Sequence, residues 1–223
     1  MEQRERLKLI EDFREARIKI ISLPEAPARL PEGGRLILHL IPEKWTEEPH
    51  AFYDGVLGIE SNEQSAPLSL SMGETLWPQF NFDGKIMLIK SELEPGLASY
   101  VQYFFNGIIE SVAAIQKEGG FAPDQVEKEL FKKIQNYLEI QKRIGVKAPV
   151  FGVLSIVGIQ GLEGGASKFG KDGLRLPPQK IKTYDQYEEA PHEVVRPMFH
   201  RMWSATGRAG SPTFDKDGKF KPR

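Results

Sequence analysis

The sequence predicts an α+β fold: a mostly antiparallel β-sheet with hairpins, covered by two or three amphipathic helices. Apolar runs of strand length, rich in branched and aromatic residues, recur along the 223 residues, and such runs are typical of buried strands. Asp-Gly at 83–84 and Asn-Gly at 106–107 lie between apolar runs, where their tolerance of positive φ angles favours tight hairpin turns. Other segments repeat apolar residues every three or four positions, which indicates helices.

The N-terminal third predicts a helix, a buried strand and long loops. Residues 3–21 form an amphipathic pattern in which Arg17 falls on the apolar stripe, so we expect a helix there. Prolines then end the helix, and the branched apolar run 35–41 predicts a buried strand. Residues 43–77 are polar and rich in glycine and proline. We expect loops there, with one short strand near residues 55–59.

Two hairpins are predicted in the middle of the chain. The first turns at 83–84, between an aromatic segment and an aliphatic run. The second turns at 106–107 and has the stronger pattern, because long apolar runs flank it on both sides. A two-residue turn at this point would pair Tyr103 with Glu110 across the two strands.

The C-terminal part predicts two further helices and two strands. Residues 124–144 have the clearest helical spacing, and a last helix is expected at about 192–206. Residues 150–159 are apolar on both faces, which is typical of a central strand. Residues 174–181 contain two adjacent prolines, so a strand there is expected at an edge of the sheet.

We expect one domain over residues 1–209 and a loose basic tail over 210–223, because no repeat and no linker divides the chain. Cysteine is absent, which excludes disulfides, thiolate nucleophiles and cysteine-bound metals. The charged N-terminus does not resemble a secretory signal. The longest uncharged stretches have 15 residues, fewer than the roughly 18 needed to cross a bilayer. We therefore expect a cytoplasmic protein that does not contact a membrane.

Charge is unevenly distributed along the chain. The net charge is −1, but residues 1–100 carry 11 basic and 17 acidic side chains, and residues 101–223 carry 19 and 14. We interpret this as ordinary surface charge. The alternative is that the basic half contacts an acidic partner or a phosphate backbone.

No segment predicts a reaction centre. Residues 165–172 keep the glycine and lysine spacing of a phosphate loop, but they lack the Ser or Thr that binds magnesium and the helix that should follow. We interpret them as a charged surface turn. None of the four histidines has the spacing of a metal-binding pair. We therefore assign no catalytic residue, no cofactor and no metal, and we expect a protein that is not an enzyme.

His39 and Glu110 are the two side chains that deserve a test of chemistry. His39 lies in the middle of an apolar strand, and histidine is suited to proton transfer near neutral pH. A buried histidine that is hydrogen-bonded to a neighbouring hydroxyl or backbone group is the alternative. For Glu110, a cross-strand hydrogen bond to Tyr103 is the simplest interpretation.

Several short segments, taken in order, resemble one family of prokaryotic proteins. The segments are 13–17, 38–42, 80–84, 100–110 and 196–199, continued by Trp203, Gly207, Ser211 and Asp215. They are similar to the C-terminal half of proteins with a Schlafen AlbA-type domain, and the similarity covers nearly the whole chain. In that family the N-terminal half carries the DNA-binding activity and is often described as ATP-binding. The resemblance implies that the AlbA-type domain itself is absent here, and that a helix at 1–22 would follow it.

The resemblance implies kinship with DNA-linked regulatory or defence proteins, and three hypotheses follow. The first is a non-catalytic accessory or association domain that acts with an AlbA-type partner or with a second copy of itself. The second is a nucleic-acid-binding protein that uses the basic residues Arg196, Arg201, Arg208 and Lys216. The third is a small-molecule enzyme that uses His39 or Glu110.

Overall fold

The structure, a computed structural model, describes residues 3–23, 26–47, 49–69, 76–90, 97–115, 122–159, 173–215 and 217–221. Within these ranges the chain forms five helices and one antiparallel sheet of eight strands, so the predicted α+β fold is confirmed. The strands are β1 (Gly34–Pro42), β2 (Leu76–Asn81), β3 (Gly84–Lys90), β4 (Leu97–Phe104), β5 (Ile109–Ile115), β6 (Val150–Val157), β7 (Leu174–Arg175) and β8 (Gln179–Ile181). The helices are α1 (Gln3–Ile21), α2 (Tyr53–Leu57), α3 (Pro123–Arg143), α4 (Tyr184–Glu189) and α5 (Pro191–Ala205).

The strands lie in the order β2-β3-β4-β5-β1-β6-β7, and β8 also pairs with β6. The first strand of the chain is therefore central, between β5 and β6. Every residue of β6 is buried, and so is nearly every residue of β1. Because both faces of these strands are covered, their sequences are continuous apolar runs without alternation.

Helices cover both faces of the sheet. α1 packs on one face, where Ile18 and Ile21 join a cluster with Ile37 of β1. α3 and α5 pack on the opposite face, together with α4. α5 covers Gly152 of β6, but a Cβ there would make only an ordinary contact of 3.5 Å with Met198 Cε, so the approach of this helix does not require glycine.

The β2–β3 hairpin is confirmed, but its turn begins one residue before the Asp-Gly dipeptide. Asn81 pairs with Gly84, so Phe82 and Asp83 are the two turn residues. The Asn81 side-chain oxygen accepts hydrogen bonds from the N–H groups of Asp83 (3.0 Å) and Gly84 (2.9 Å). A Cβ at Gly84 would lie only 1.9 Å from the Tyr103 carbonyl oxygen. This position therefore requires glycine because β4 passes so close.

The β4–β5 hairpin is also confirmed, but the expected pairing of Tyr103 with Glu110 is wrong. Three residues, 105–107, form the loop, and Gly107 has a φ of +83°. A three-residue loop of this kind ends in a residue with positive φ. Gln102 consequently lies opposite Glu110. The shift of one residue places Tyr103 on the other face of the sheet.

Predictions for three less regular segments had different outcomes. The segment near residues 55–59 contains the end of α2, so the expected strand is wrong. β7 and β8 both pair with the last long strand of the sheet, β6, and the predicted interruption at the prolines is confirmed. The expected loose tail from Gly210 is wrong for the described residues, because Ser211 and Phe214 are buried. Phe214 also forms a β-bridge with Phe220.

Candidate functional site

Four polar side chains form a buried network between α1 and the sheet: Arg17, His39, Tyr100 and Glu110. The β1–β5 register places His39 directly opposite Glu110. Arg17 donates from Nε and Nη2 to the two oxygens of the Glu110 carboxylate, each at 2.7 Å. The Tyr100 hydroxyl donates to the same carboxylate at 2.8 Å, and His39 Nε2 lies 3.0 Å from Oε2. Because a carboxylate only accepts hydrogen bonds, the proton of the neutral His39 ring is on Nε2.

The network holds Glu110 in its ionised form. Burial by itself would raise the pKa of Glu110, but the hydrogen bonds from Arg17 and His39 outweigh it and lower the pKa to about 2. Burial also disfavours the charge of Arg17, yet its hydrogen bonds to Glu110 leave the pKa of Arg17 raised. Burial and the Glu110 charge raise the pKa of Tyr100 well above its usual range. At neutral pH the network is an ion pair with a neutral tyrosine as a further donor.

This geometry argues against the hypothesis of an enzyme that uses His39 or Glu110. Both residues have a relative exposure of 0%, whereas a general base must reach its substrate directly or through one water. A carboxyl group with a pKa near 2 is also a weak base at neutral pH. Instead, Arg17 connects α1 to β5, and the network fastens the helix to the sheet. Among the described residues, His39 Nδ1 has no hydrogen-bond partner.

An open cleft of about 650 Å³ lies beside α5, and we call it the C-terminal cleft. One wall contains Arg196 and His200 of α5, and the other contains residues 209–211, 214–215 and 217–218, among them Asp215 and Asp217. Arg196 Nη1 donates to the Gly218 carbonyl oxygen at 3.1 Å.

Glu127 of α3 holds the segment that forms the C-terminal cleft. The Glu127 carboxylate is buried and accepts hydrogen bonds from the Trp203 indole N–H and from the hydroxyls of Ser211 and Thr213. The Ser211 N–H donates to His200 Nδ1 at 3.1 Å. These contacts connect α3, α5 and the C-terminal segment, which explains why this segment is packed rather than loose.

Three of the four basic residues of the nucleic-acid hypothesis lie in different local surroundings. Arg196 lines the C-terminal cleft opposite two aspartates. The Arg208 guanidinium lies 5.0 Å from the centre of the Trp203 ring, and Arg201 is exposed on α5. Lys216 and the phosphate-loop-like segment 165–172 lie outside the described residues.

Exposed aromatic side chains are concentrated on the β2–β3 hairpin. Trp77, Phe80 and Phe82 have relative exposures of 49%, 58% and 89%, and we call this surface the aromatic hairpin. α2 lies beside β3 and adds Tyr53 and Leu57, which are also exposed. Large apolar side chains exposed on one short hairpin favour a surface that binds a partner.

The aromatic hairpin lies on an edge strand in which one backbone position, Pro78, cannot donate a hydrogen bond to a further strand. The Phe105 N–H donates to the Asp83 carbonyl oxygen at 2.9 Å, so Asp83 directs its carbonyl group toward β4. Gly84, the next residue, therefore directs its own N–H and C=O groups the other way, toward Asn81 of β2. Along a strand, successive residues direct their N–H and C=O groups alternately to the two neighbouring sides. Counting back from Asn81, the nitrogen of Pro78 points to the open edge, where it has no hydrogen to donate.

Sequence reasoning missed the partners of Glu110 and the exposure of the aromatic hairpin. One signal was present: Arg17 lies on the apolar stripe of α1, and a charged residue in that position must find a buried partner. For the hairpin there was no signal, because Phe80 and Phe82 look like core residues in the sequence. Their exposure depends on β2 being an edge strand.

The described residues contain no group of three or more His, Asp or Glu side chains that could hold a metal ion. Among the same residues, no helix is both long enough and apolar enough to cross a membrane. No protein-family model, curated protein or solved structure matches this chain.

Proposed function

We propose that this chain is a non-catalytic association domain that binds a protein partner through the aromatic hairpin. The observation that carries the proposal is the high exposure of Trp77, Phe80 and Phe82 on one hairpin. Aromatic residues are enriched among the few interface side chains that supply most of the binding energy. The buried network around Glu110 supports the non-catalytic part of the proposal, because Arg17 and Glu110 pair with each other and fasten α1 to the sheet.

The geometry of the hairpin limits how a partner binds. Trp77 and Phe80 are three residues apart in β2, so their side chains lie on opposite faces of the strand, and Phe82 is at the turn. A partner that covers all three must enclose the end and edge of the hairpin in a groove. The missing N–H of Pro78 disfavours the addition of a partner strand at this edge. Side-chain contacts would therefore supply most of the affinity.

One exposed lysine, Lys90, favours a partner with an acidic rim around its groove. Lys90 Nζ lies 4.9 Å from the centre of the Trp77 ring, and Lys85 Nζ lies 5.4 Å from that of Phe80. These ammonium groups interact favourably with the ring faces. Lys90 is exposed and places positive charge beside Trp77, where carboxylates of a partner would complement it. Lys85 is buried, and its ammonium group donates to the carbonyl oxygens of Leu57 and Ile59.

The family resemblance makes an AlbA-type domain the first partner to test, and a second copy of this chain the next. The test measures binding of the purified chain to a purified AlbA-type domain by calorimetry, and self-association by light scattering. Phe80→Ser combined with Phe82→Ser should weaken the complex by more than about ten-fold, since each is a large aromatic contact. Leu23→Ser is the control, because Leu23 is 52% exposed and lies outside the hairpin.

Both variants should keep the melting temperature of the wild type within about 2 °C, since exposed positions contribute little to stability. If neither an AlbA-type domain nor a second copy binds, the proposal is wrong. It is also wrong if a complex forms and the hairpin variant binds as tightly as the Leu23 control.

A further inference from the structure

We infer that the C-terminal cleft is a second binding site, which takes a small zwitterionic ligand that carries both a carboxylate and an ammonium group, such as an amino acid or a short peptide. The volume of about 650 Å³ lies within the range of about 300–1,000 Å³ that is usual for small-molecule sites. The site is separate from the aromatic hairpin, since α5 and residues 209–211, 214–215 and 217–218 supply its walls.

The α5 wall supplies hydrogen-bond donors. Arg196 and His200 are four residues apart and therefore share one face of the helix. His200 Nδ1 accepts the Ser211 N–H, so the proton of the neutral ring is on Nε2, which is left as a donor. Arg196 has five N–H groups, and the contact with the Gly218 carbonyl oxygen involves Nη1 alone. A guanidinium beside an imidazole N–H is a suitable pair for a carboxylate.

The facing wall supplies negative charge, and its two aspartates have different roles. Asp215 Oδ1 accepts the N–H groups of Asp217 and Lys219, both at 2.9 Å, and Oδ2 lies 3.8 Å from Lys221 Nζ. The hydrogen bond from the Lys219 N–H is the largest of the effects that lower the pKa of Asp215. Asp215 therefore stabilises its own turn. The Asp217 side chain is exposed at the cleft and is available to an ammonium group.

Glycines bring the two walls into direct contact and shape the cleft in advance of any ligand. A Cβ at Gly210 would lie 2.4 Å from His200 Nδ1, and a Cβ at Gly218 would lie 1.9 Å from Arg196 Nη1. Gly218 also has a φ of +79°, which other residues rarely adopt. The backbone of the segment therefore lies against both donor side chains. A site built in this way loses little entropy when a ligand binds.

The opposed charges select the class of ligand. An anion without a positive group, such as phosphate or a nucleic-acid backbone, would meet the carboxylates of Asp215 and Asp217. An amine without a negative group would meet the Arg196 guanidinium. A ligand that carries both groups satisfies both walls at once, with its carboxylate on Arg196 and His200 and its ammonium on Asp217.

The test begins with ligand-observed NMR of the full chain against the twenty standard amino acids, a set of dipeptides and inorganic phosphate. The strongest zwitterionic binder is then compared by calorimetry with its N-acetyl and its C-terminal amide derivatives. Each derivative lacks one of the two charges, so each should bind at least about ten-fold more weakly. Absence of zwitterion binding at 1 mM, on the order of the weakest specific affinities, would overturn the inference. Equal binding of either derivative, or preferential binding of phosphate, would do the same.

Substitutions in the two walls test whether the ligand binds in the C-terminal cleft. Asp217→Asn should weaken binding of the zwitterion by at least about five-fold and leave binding of the N-acetyl derivative unaffected, since that derivative has no ammonium group. Asp54→Asn, at an exposed aspartate in α2, is the matched control and should change neither. Arg196→Gln should remove binding of the zwitterion. His200→Gln should also weaken it, and this variant leaves the contact between Arg196 and Gly218 in place. Unchanged affinity in both Asp217→Asn and His200→Gln would show that the ligand binds elsewhere and would overturn the inference.

Discussion

Replacement of the buried carboxylate by an amide, Glu110→Gln, should cost about 3 kcal/mol of unfolding free energy at neutral pH. The magnitude follows from the pKa of Glu110, which is about 2 in the folded chain against an ordinary value of 4.5. At about 1.4 kcal/mol for each pH unit, this difference corresponds to about 3 kcal/mol. Removal of one partner from a buried ion pair costs about 3–5 kcal/mol in other proteins, so two separate arguments agree.

The same difference predicts how the effect depends on pH. Because the pKa is lower in the folded state, the contribution of Glu110 is fully present above about pH 4.5 and is lost as the pH falls toward 2. Wild type and Glu110→Gln should therefore differ most at neutral pH and converge in acid. Other carboxyl groups titrate in both proteins, so the difference between them isolates Glu110.

The measurement is urea unfolding followed by circular dichroism at several pH values between 7 and about 3. The lowest of these values lies between the two pKa values of Glu110, 4.5 and about 2, where its contribution is being lost. Glu189→Gln, at an exposed glutamate, is the control and should change stability by less than about 0.5 kcal/mol. A loss below about 1 kcal/mol in Glu110→Gln, or an unchanged difference from wild type in acid, would refute the reasoning.

Three further predictions concern backbone contacts and the C-terminal segment. Gly84→Ala should lower the free energy of unfolding in urea by more than about 2 kcal/mol, because the new Cβ would clash with the Tyr103 carbonyl oxygen. Gly145→Ala is the control: Gly145 also has a positive φ, but nothing lies within 4 Å of an added Cβ, so the cost should be about 1 kcal/mol. Equal costs would contradict the predicted clash. Glu127→Gln weakens the hydrogen bonds that hold residues 209–215, so limited proteolysis of this segment should accelerate, while the exposed Glu139→Gln should leave the rate unchanged. Pro78→Val restores an outward N–H on the edge strand, so size-exclusion chromatography should show stronger concentration-dependent association than in the wild type. A variant that elutes as the wild type does at every concentration would count against the edge assignment.

Local patterns in the sequence were sufficient for the fold class and for most of the elements. The apolar stripes of α1, α3 and α5 and the continuous apolar runs of β1 and β6 depend on residue types at fixed spacing, and the structure places all five within one or two residues of the expected positions. Both hairpins could be located in the same way, because glycine after Asp or Asn marks a chain reversal. The central position of β1 did not follow from these patterns, since it results from pairing with β5 and β6, which are distant in sequence.

The sequence by itself determined which segments become strands and helices, because that choice depends on neighbours along the chain. Tertiary structure decided the register of β4 against β5, and with it the partners of Glu110, because one extra loop residue turns a side chain to the other face of the sheet. It also decided that Phe82 is exposed and that Ser211 is buried. The first outcome depends on which strand lies at the edge of the sheet, and the second on which helices lie beside the C-terminal segment. Both arrangements result from contacts between residues that are far apart in the sequence.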